Sequence, residues 1–171
     1  EGVAGAERFL TRITTLVGKD REALTALRAS AAAEIAAVEA GRAEGAGDRD
    51  LLRLLHASVK KVSEDLEKLA FNTSIAALME MLNQLQKHRA AHADLSPTYV
   101  ATIGVFLRLL APFAPHLAEE LHSWLGHGES IFDGGWPSYS EEALVEDSFE
   151  IVLQINGKVR GRFSVAADVS K

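Results

Sequence analysis

The stretch FNTSIAALMEMLNQLQKHR, residues 71–89, carries Phe71, Ile75, Leu78, Met79, Leu82 and Leu85 at steps of three and four. That spacing lays them along one side of a 3.6-residue helix. Ala76 and Ala77 offer a second side that neighbours can approach closely, and Asn72 and Thr73 stand where a helix's first N–H groups need acceptors. An apolar stripe of this length must be covered, so this helix is expected to be the hub of the fold. The clearest partner is the stretch before it, where Leu52, Leu55, Val59, Val62, Leu66 and Leu69 are spaced 3, 4, 3, 4, 3. This is a narrow seam suited to shallow-angle helix packing. Burying such a row contributes on the order of 10 kcal/mol gross, an upper figure because the unfolded chain already hides part of that surface.

The pattern elsewhere predicts more helices. Residues 1–17 place Val3, Ala6, Phe9, Leu10, Ile13, Leu16 and Val17 on one face, with Gly18 as a left-handed stop and Arg8 and Arg12 projecting together from another face. Residues 19–44 are alanine-rich, and alanine is the best helix former. With only Leu24, Leu27, Ile35 and Val38 as larger apolar groups, the segment 19–47 reads as a peripheral helical insertion, broken by Gly41, Gly45 and Gly47. Ser96 and Pro97 open a helix whose stripe is Val100, Ile103, Leu107 and Leu110, widened by Phe106 and Leu109. Pro112 and Pro115 break the chain, and residues 115–125 restart as a short helix with Leu117, Leu121, Trp124 and Leu125 inward. The fold class is therefore mainly α, a helix bundle over residues 1–128.

The tail differs. Residues 129–148 form an irregular linker. From residue 149 the pattern alternates as a strand does, and Asn156-Gly157 is a strong hairpin signal. A loop of Ile155, Asn156 and Gly157, with Gly157 left-handed at a bulge, would pair Leu153 with Val159, Phe149 with Phe163 and Glu150 with Arg162. The faces would then be Phe149, Ile151, Leu153, Val159, Phe163 and Val165 on one side, and Lys158, Arg160 and Arg162 on the other. An isolated hairpin is marginal in water, so residues 149–171 are expected to be the beginning of a truncated domain.

Composition narrows the chemistry. The chain has no cysteine, which excludes disulfides and thiolate metal sites. Arg108 and two prolines interrupt its longest apolar run, so no membrane span is expected. A net charge of −6 argues against nucleic-acid binding through a large basic excess, although a local basic face is compatible with it. His88 and His92, and likewise His116 and Glu120, are four apart, but no third ligand completes a metal site. No glycine-rich phosphate loop is present, and no Ser or Thr stands near a His and an acid, so catalytic residues are expected to be none. Arg108 is expected either to ion-pair with Glu119 or Glu120 or to emerge at the surface. Two functions remain open on these residues. One is a nucleic-acid-binding module using Arg8, Arg12, the Lys60-Lys61 pair and the basic hairpin face with Lys158 and Arg160. The other is a structural or protein-interaction bundle.

RFLTRITTLV, FNTSIAALMEML, LLAPFAPHLAEELHSWLG and WPSYSEEALVEDSFEIVLQINGKVRGRF together resemble the C-terminal part of bacterial leucyl-tRNA synthetase, a class I aminoacyl-tRNA synthetase. The likeness covers nearly the whole chain apart from 19–47. FNTSIAALMEML and the LAPFAPHLAEEL-like run recur in several class I synthetases, and the isoleucine, valine and methionine enzymes remain the alternative. The NGKVRG strand after the bundle points to the leucine enzyme. The resemblance implies an anticodon-binding domain over residues 1–128 and the start of a small α/β C-terminal domain, cut off here, from about residue 145. It implies an enzyme joining leucine to tRNA(Leu) with ATP and magnesium, its HIGH and KMSKS motifs upstream, and a fragment that is itself non-catalytic and binds no cofactor. The implied partners are tRNA(Leu) and the catalytic domain of the same polypeptide, in a cytoplasmic monomer without membrane contact. The bundle would read tRNA shape and backbone rather than the anticodon. Arg8 and Arg12 match the family's first-helix arginines, and Lys158 and Arg160 its NGKVR strand. Thr14 and Thr15 depart from the pattern, standing where relatives often have a tryptophan and an arginine.

Overall fold

A computed structural model describes residues 2–42, 49–145, 148–155 and 158–166, with side chains for 4–42 and 49–145. Helix follows helix: α1 Gly2–Lys19, α2 Arg21–Ser30, α3 Ala32–Glu39, α4 Arg49–Glu67, α5 Phe71–Ala91, α6 Pro97–Leu110 and α7 Pro115–Trp124. One 3₁₀ turn, Glu142–Leu144, and two strands, β1 Ser148–Ile155 and β2 Lys158–Ala166, come after them.

The hub is α6, not the helix at Phe71. Its sequence PTYVATIGVFLRLL is apolar or small nearly all round, and Tyr99, Val100, Ile103, Val105, Phe106, Leu107, Leu109 and Leu110 are all buried. A helix without a polar side has to be surrounded, and α2, α3, α4, α5 and α7 all pack on α6. Ser96 caps it as expected, its Oγ accepting from the Tyr99 N–H at 3.2 Å, with Pro97 in the first turn.

α5 does join the expected partners α1, α4 and α6, but with a face rotated from the expected one. Ser74, Leu78, Met81, Leu82 and Leu85 are buried, whereas Phe71 is half exposed. Its N-cap is Ala70, which makes no side-chain cap bond. Asn72 is exposed, and Thr73 donates its hydroxyl to the Ala70 carbonyl at 2.9 Å instead of accepting. The α4 seam holds for Leu52, Leu55, Val59 and Val62, with Leu66 partly buried, and then stops. Leu69 is left-handed, with φ 55°, and 72% exposed. The Leu69 N–H bonds to Leu66 O at 3.0 Å and the Ala70 N–H to Asp65 O at 2.7 Å. That pair of bonds is the Schellman stop, usually made with glycine. Gly18 is helical rather than a left-handed stop: α1 runs on to Lys19, and a Cβ at Gly18 would meet Trp124 Cζ3 at 3.4 Å.

The alanine-rich segment is not peripheral. It forms two helices that both pack on α6, and it buries Leu24, Ala31 and Val38. Methyl groups let these helices approach α6 without large side chains between them. Arg108 pairs with Glu39 of α3 at 2.6 Å, not with Glu119 or Glu120. Glu119 instead accepts from Ser130 Oγ and the Ile131 N–H at 3.1 and 3.0 Å. Gly45 and Gly47 lie outside the described residues, while Gly41 has φ +87° beneath Ser140.

The strand register differs from the expected one. Ile155 pairs with Lys158 and Gln154 with Val159, and after a bulge Leu153 pairs with Gly161, Ile151 with Phe163 and Phe149 with Val165. Val152, not Glu150, stands opposite Arg162. Pairing Ile155 with Lys158 keeps two residues between the strands, the commonest hairpin length. The extra residue Arg160 then corrects the phase, which is what a bulge does. Asn156 and Gly157 lie outside the described residues, as do the strands' side chains and hence the expected division of faces.

Candidate nucleic-acid interface

Helix periodicity places Arg8, Arg12 and Lys19 on one stripe of α1. Residues four and eleven positions after Arg8 fall within about 40° of it at 100° per residue. Arg8 and Lys19 are exposed and Arg12 is half-buried. Arg12 Nη2 donates to Asn83 Oδ1 of α5 at 2.6 Å and also to Gln86 Oε1. Both acceptors are neutral amides, so they orient the guanidinium without cancelling its charge. Thr11, Thr14 and Thr15 turn their hydroxyls back onto carbonyls four residues earlier, at 2.9, 3.1 and 2.8 Å, as threonines in helices do. The stripe therefore presents charge rather than hydroxyl donors.

The far end of α1 is fixed by a forked ion pair. Arg89 Nε and Nη2 donate to the two Asp20 oxygens at 2.6 and 3.0 Å, and Arg89 Nη1 donates to the His92 and Ala93 carbonyls at 2.7 and 3.2 Å. The Arg89 guanidinium holds the Asp20 carboxyl below its usual range, against the opposing effect of burial. Next to it Arg21 lies 5.0 Å from the centre of the Trp124 ring, within cation–π range.

Lys60 and Lys61 do not join this stripe. α1 packs on α5 and α7, whereas α4, which carries Lys60 and Lys61, packs on α5 and α6. Lys60 Nζ bonds Glu141 at 2.9 Å and lies 5.4 Å from the Tyr139 ring centre. Lys61 Nζ bonds both Asp65 oxygens at 2.6 and 2.7 Å. Adjacent residues on a helix point about 100° apart, so the pair reaches two different partners and each charge is compensated. Lys158 opens β2, and Arg160 is the bulge residue.

Lys60 belongs instead to a set of contacts that fastens residues 136–141 to α4. The Trp136 indole donates to Ser63 Oγ at 2.8 Å. The Ser140 N–H donates to His56 Nδ1 at 3.1 Å, and His56 Nε2 lies 3.0 Å from Val38 O. Because Ser140 is the donor, Nδ1 must accept, so the Nε2 nitrogen carries the proton and donates to Val38. His56 is fully buried, and burial lowers its pKa. Its only sequence signal is a polar residue inside an apolar seam. His122 and His127 stack at 3.7 Å. Burial lowers both, His127 to about 4, with the charges of Arg28 and Arg108 adding to the effect. His88 and His92 also stack, at 4.1 Å.

Comparison with known proteins gives a consistent result. The model of the anticodon-binding domain of tRNA ligase matches residues 48–171. The chain is 47% identical over its whole length to a leucine–tRNA ligase of Roseiflexus castenholzii, of which it spans 18%. It is 45% identical over 98% of its length to one of a Synechococcus species, and 40% over 99% to one of Shewanella amazonensis, spanning 19% of each. The chain thus spans less than a fifth of the curated relatives it matches. A crystal structure of the ternary complex of Agrobacterium radiobacter K84 agnB2 LeuRS–tRNA–LeuAMS aligns with 98% of the chain and 20% of its own, with a TM-score of 0.76 and 30% identity.

Proposed function

The chain belongs to the anticodon-binding-domain family of tRNA ligases, and from that premise we propose that it is the tRNA-docking module of a leucine–tRNA ligase. The observation that carries this reading is the alignment of almost the whole chain with a LeuRS held in complex with tRNA. In the longer polypeptide, leucine is joined to tRNA(Leu) using ATP and magnesium by a catalytic domain outside these residues. The residues present do not fit that pair. No HIGH or KMSKS motif occurs in the sequence, and no group of three His, Asp or Glu among the described residues could hold an ion. On this reading the module is inactive alone, works by holding tRNA for the catalytic domain, and belongs to a cytoplasmic monomer.

Docking runs through the α1 stripe. Arg8, Arg12 and Lys19 extend over about 16 Å of helix and attract phosphates without reading bases. Asn83 and Gln86 hold Arg12 in place before RNA arrives, which lowers the entropy cost of the contact. Lys158 and Arg160 supply a second contact from β2. Lys60 and Lys61 are occupied within the bundle and are left out of the RNA surface.

The test is kinetic. Changing Arg8 and Arg12 together to Ala in the full ligase should raise the KM for tRNA and lower aminoacylation while leaving adenylate formation intact. Arg12→Lys separates charge from placement: it keeps the attraction but loses the forked hold on α5. Equal loss of adenylate formation in the double variant would mean a folding role instead.

A further inference from the structure

We propose that the corner formed by Leu69, Phe71 and Phe113 docks the catalytic part of the same polypeptide, an inference that rests on the reading of the chain as a ligase module. The corner lies where the α4–α5 turn meets the α6–α7 turn. Leu69 is 72% and Phe71 50% exposed, and the Phe71 and Phe113 rings meet edge to face at 6.3 Å. Pro112, beside them, is also exposed. The backbone supplies a second observation. Leu69 takes the left-handed position of a helix stop, where glycine is the unstrained choice. A leucine there is strained and gains no burial within the bundle, so its side chain has a use only if something outside covers it.

The direction of α1 says what that is. Arg12 lies against Asn83 and Gln86, and Asp20 against Arg89, so α1 and α5 run the same way. Going back eight residues from Arg12 descends about 12 Å, as does going from Asn83 to Ile75. The first turn of α1 is thus at the Phe71 end of the bundle. In a ligase whose catalytic motifs precede this module, the incoming polypeptide reaches the bundle at the same end as this corner. The local chemistry fits a protein face. Glu67 and Lys68, the charges immediately before Leu69, are of opposite sign, so the corner offers apolar area without the cation excess that phosphates need.

Single cysteines test this in the full ligase, its native cysteines replaced by serine. Leu69→Cys and Phe71→Cys are compared with Val145→Cys and Ala76→Cys, at positions exposed in the bundle. Without RNA, maleimide should label positions 69 and 71 at least tenfold more slowly than positions 76 and 145, at every protein concentration. Equal labelling would overturn the proposal. Protection that needs added tRNA would overturn it in favour of an RNA contact, and protection that fades on dilution in favour of a second copy. Because the labelling uses no RNA, a failure to bind tRNA in a separate titration would remove the docking-module reading while leaving this surface in place.

Discussion

Replacing His56 by alanine should loosen the 136–141 segment and destabilise the bundle together. The part-buried Ser140 N–H would lose its acceptor, which costs about 1–3 kcal/mol where water cannot replace it. The Val38 carbonyl would keep the Gly41 N–H at 2.9 Å, so little is lost on that side. Removing a fully buried ring leaves a cavity costing about 2–3 kcal/mol more. The sum is about 3–6 kcal/mol, and at about 2–4 °C per kcal/mol for a chain of this size Tm should fall by about 6–24 °C. Thermal unfolding followed by circular dichroism at pH 7.5 reads the stability, and hydrogen exchange at the Ser140 amide reads the local release. The pH dependence has a definite sign. Burial sets the folded pKa of His56 below 6.5, so the unfolded chain takes up a proton that the folded chain refuses. Its stabilising contribution is complete above about pH 6.5 and is lost as pH falls through the lowered value. His122 and His127 act with the same sign, so the informative quantity is the difference in slope between wild type and His56→Gln, which keeps a donor but cannot titrate. A Tm within about 2 °C of wild type for the alanine variant, or identical slopes between pH 7 and 5, would refute the reasoning.

Three further outcomes follow from single contacts. Asp20→Asn should cost about 1.5–3 kcal/mol by weakening the charged fork to Arg89; because Arg89 lowers the Asp20 pKa from 3.8, the Tm gap to wild type should hold from pH 5 to 8 and shrink as pH falls through the lowered value. Gly41→Ala should cost about 1–2 kcal/mol in the left-handed backbone alone; its Cβ would also stand 2.5 Å from Ser140 Cβ, so Ser140 amide protection should fall as well. Tyr99→Phe should be neutral or stabilising by about 1 kcal/mol, since the buried Tyr99 hydroxyl has no hydrogen-bond partner among the described residues; a loss above that figure in thermal unfolding would contradict this.

The helices with a contrasting polar side were legible. α1, α4 and α7 announce themselves through 3.6-residue spacing, and Ser96-Pro97 marks the start of α6. The hub was misread for the same reason: α6 is apolar on every side, so it shows less periodic contrast than the helix at Phe71. The row ending in Leu69 kept its spacing one step past the helix, because nothing local distinguishes a left-handed leucine from a seam position. Ala31 and its neighbours looked too small to matter, yet smallness is what lets α2 and α3 sit on α6. At the candidate interface the Arg8–Arg12 spacing was readable. Lys19 was hidden by ending the helix at residue 17. The Asn83 and Gln86 partners of Arg12 could not be read, being more than 70 positions away. The separate partners of Lys60 and Lys61 were not legible either, because adjacency in sequence is divergence on a helix. The hairpin register differs because the bulge falls at Arg160 rather than at Gly157, and local sequence does not separate the two positions.

The proposed docking of tRNA runs through side-chain charge on α1 that meets the RNA backbone. Its most direct test is the binding of labelled leucine tRNA as salt is raised from about 20 to 200 mM, each phosphate contact adding roughly 0.7–0.9 to the slope of log K against log salt. The account predicts weak binding at low salt that is lost at moderate salt. The slope should become shallower by about one in Arg8→Ala and stay unchanged in Lys61→Ala, whose charge is already compensated. Binding that ignores salt, no binding at the lowest salt, or an Arg8→Ala slope equal to wild type would contradict it.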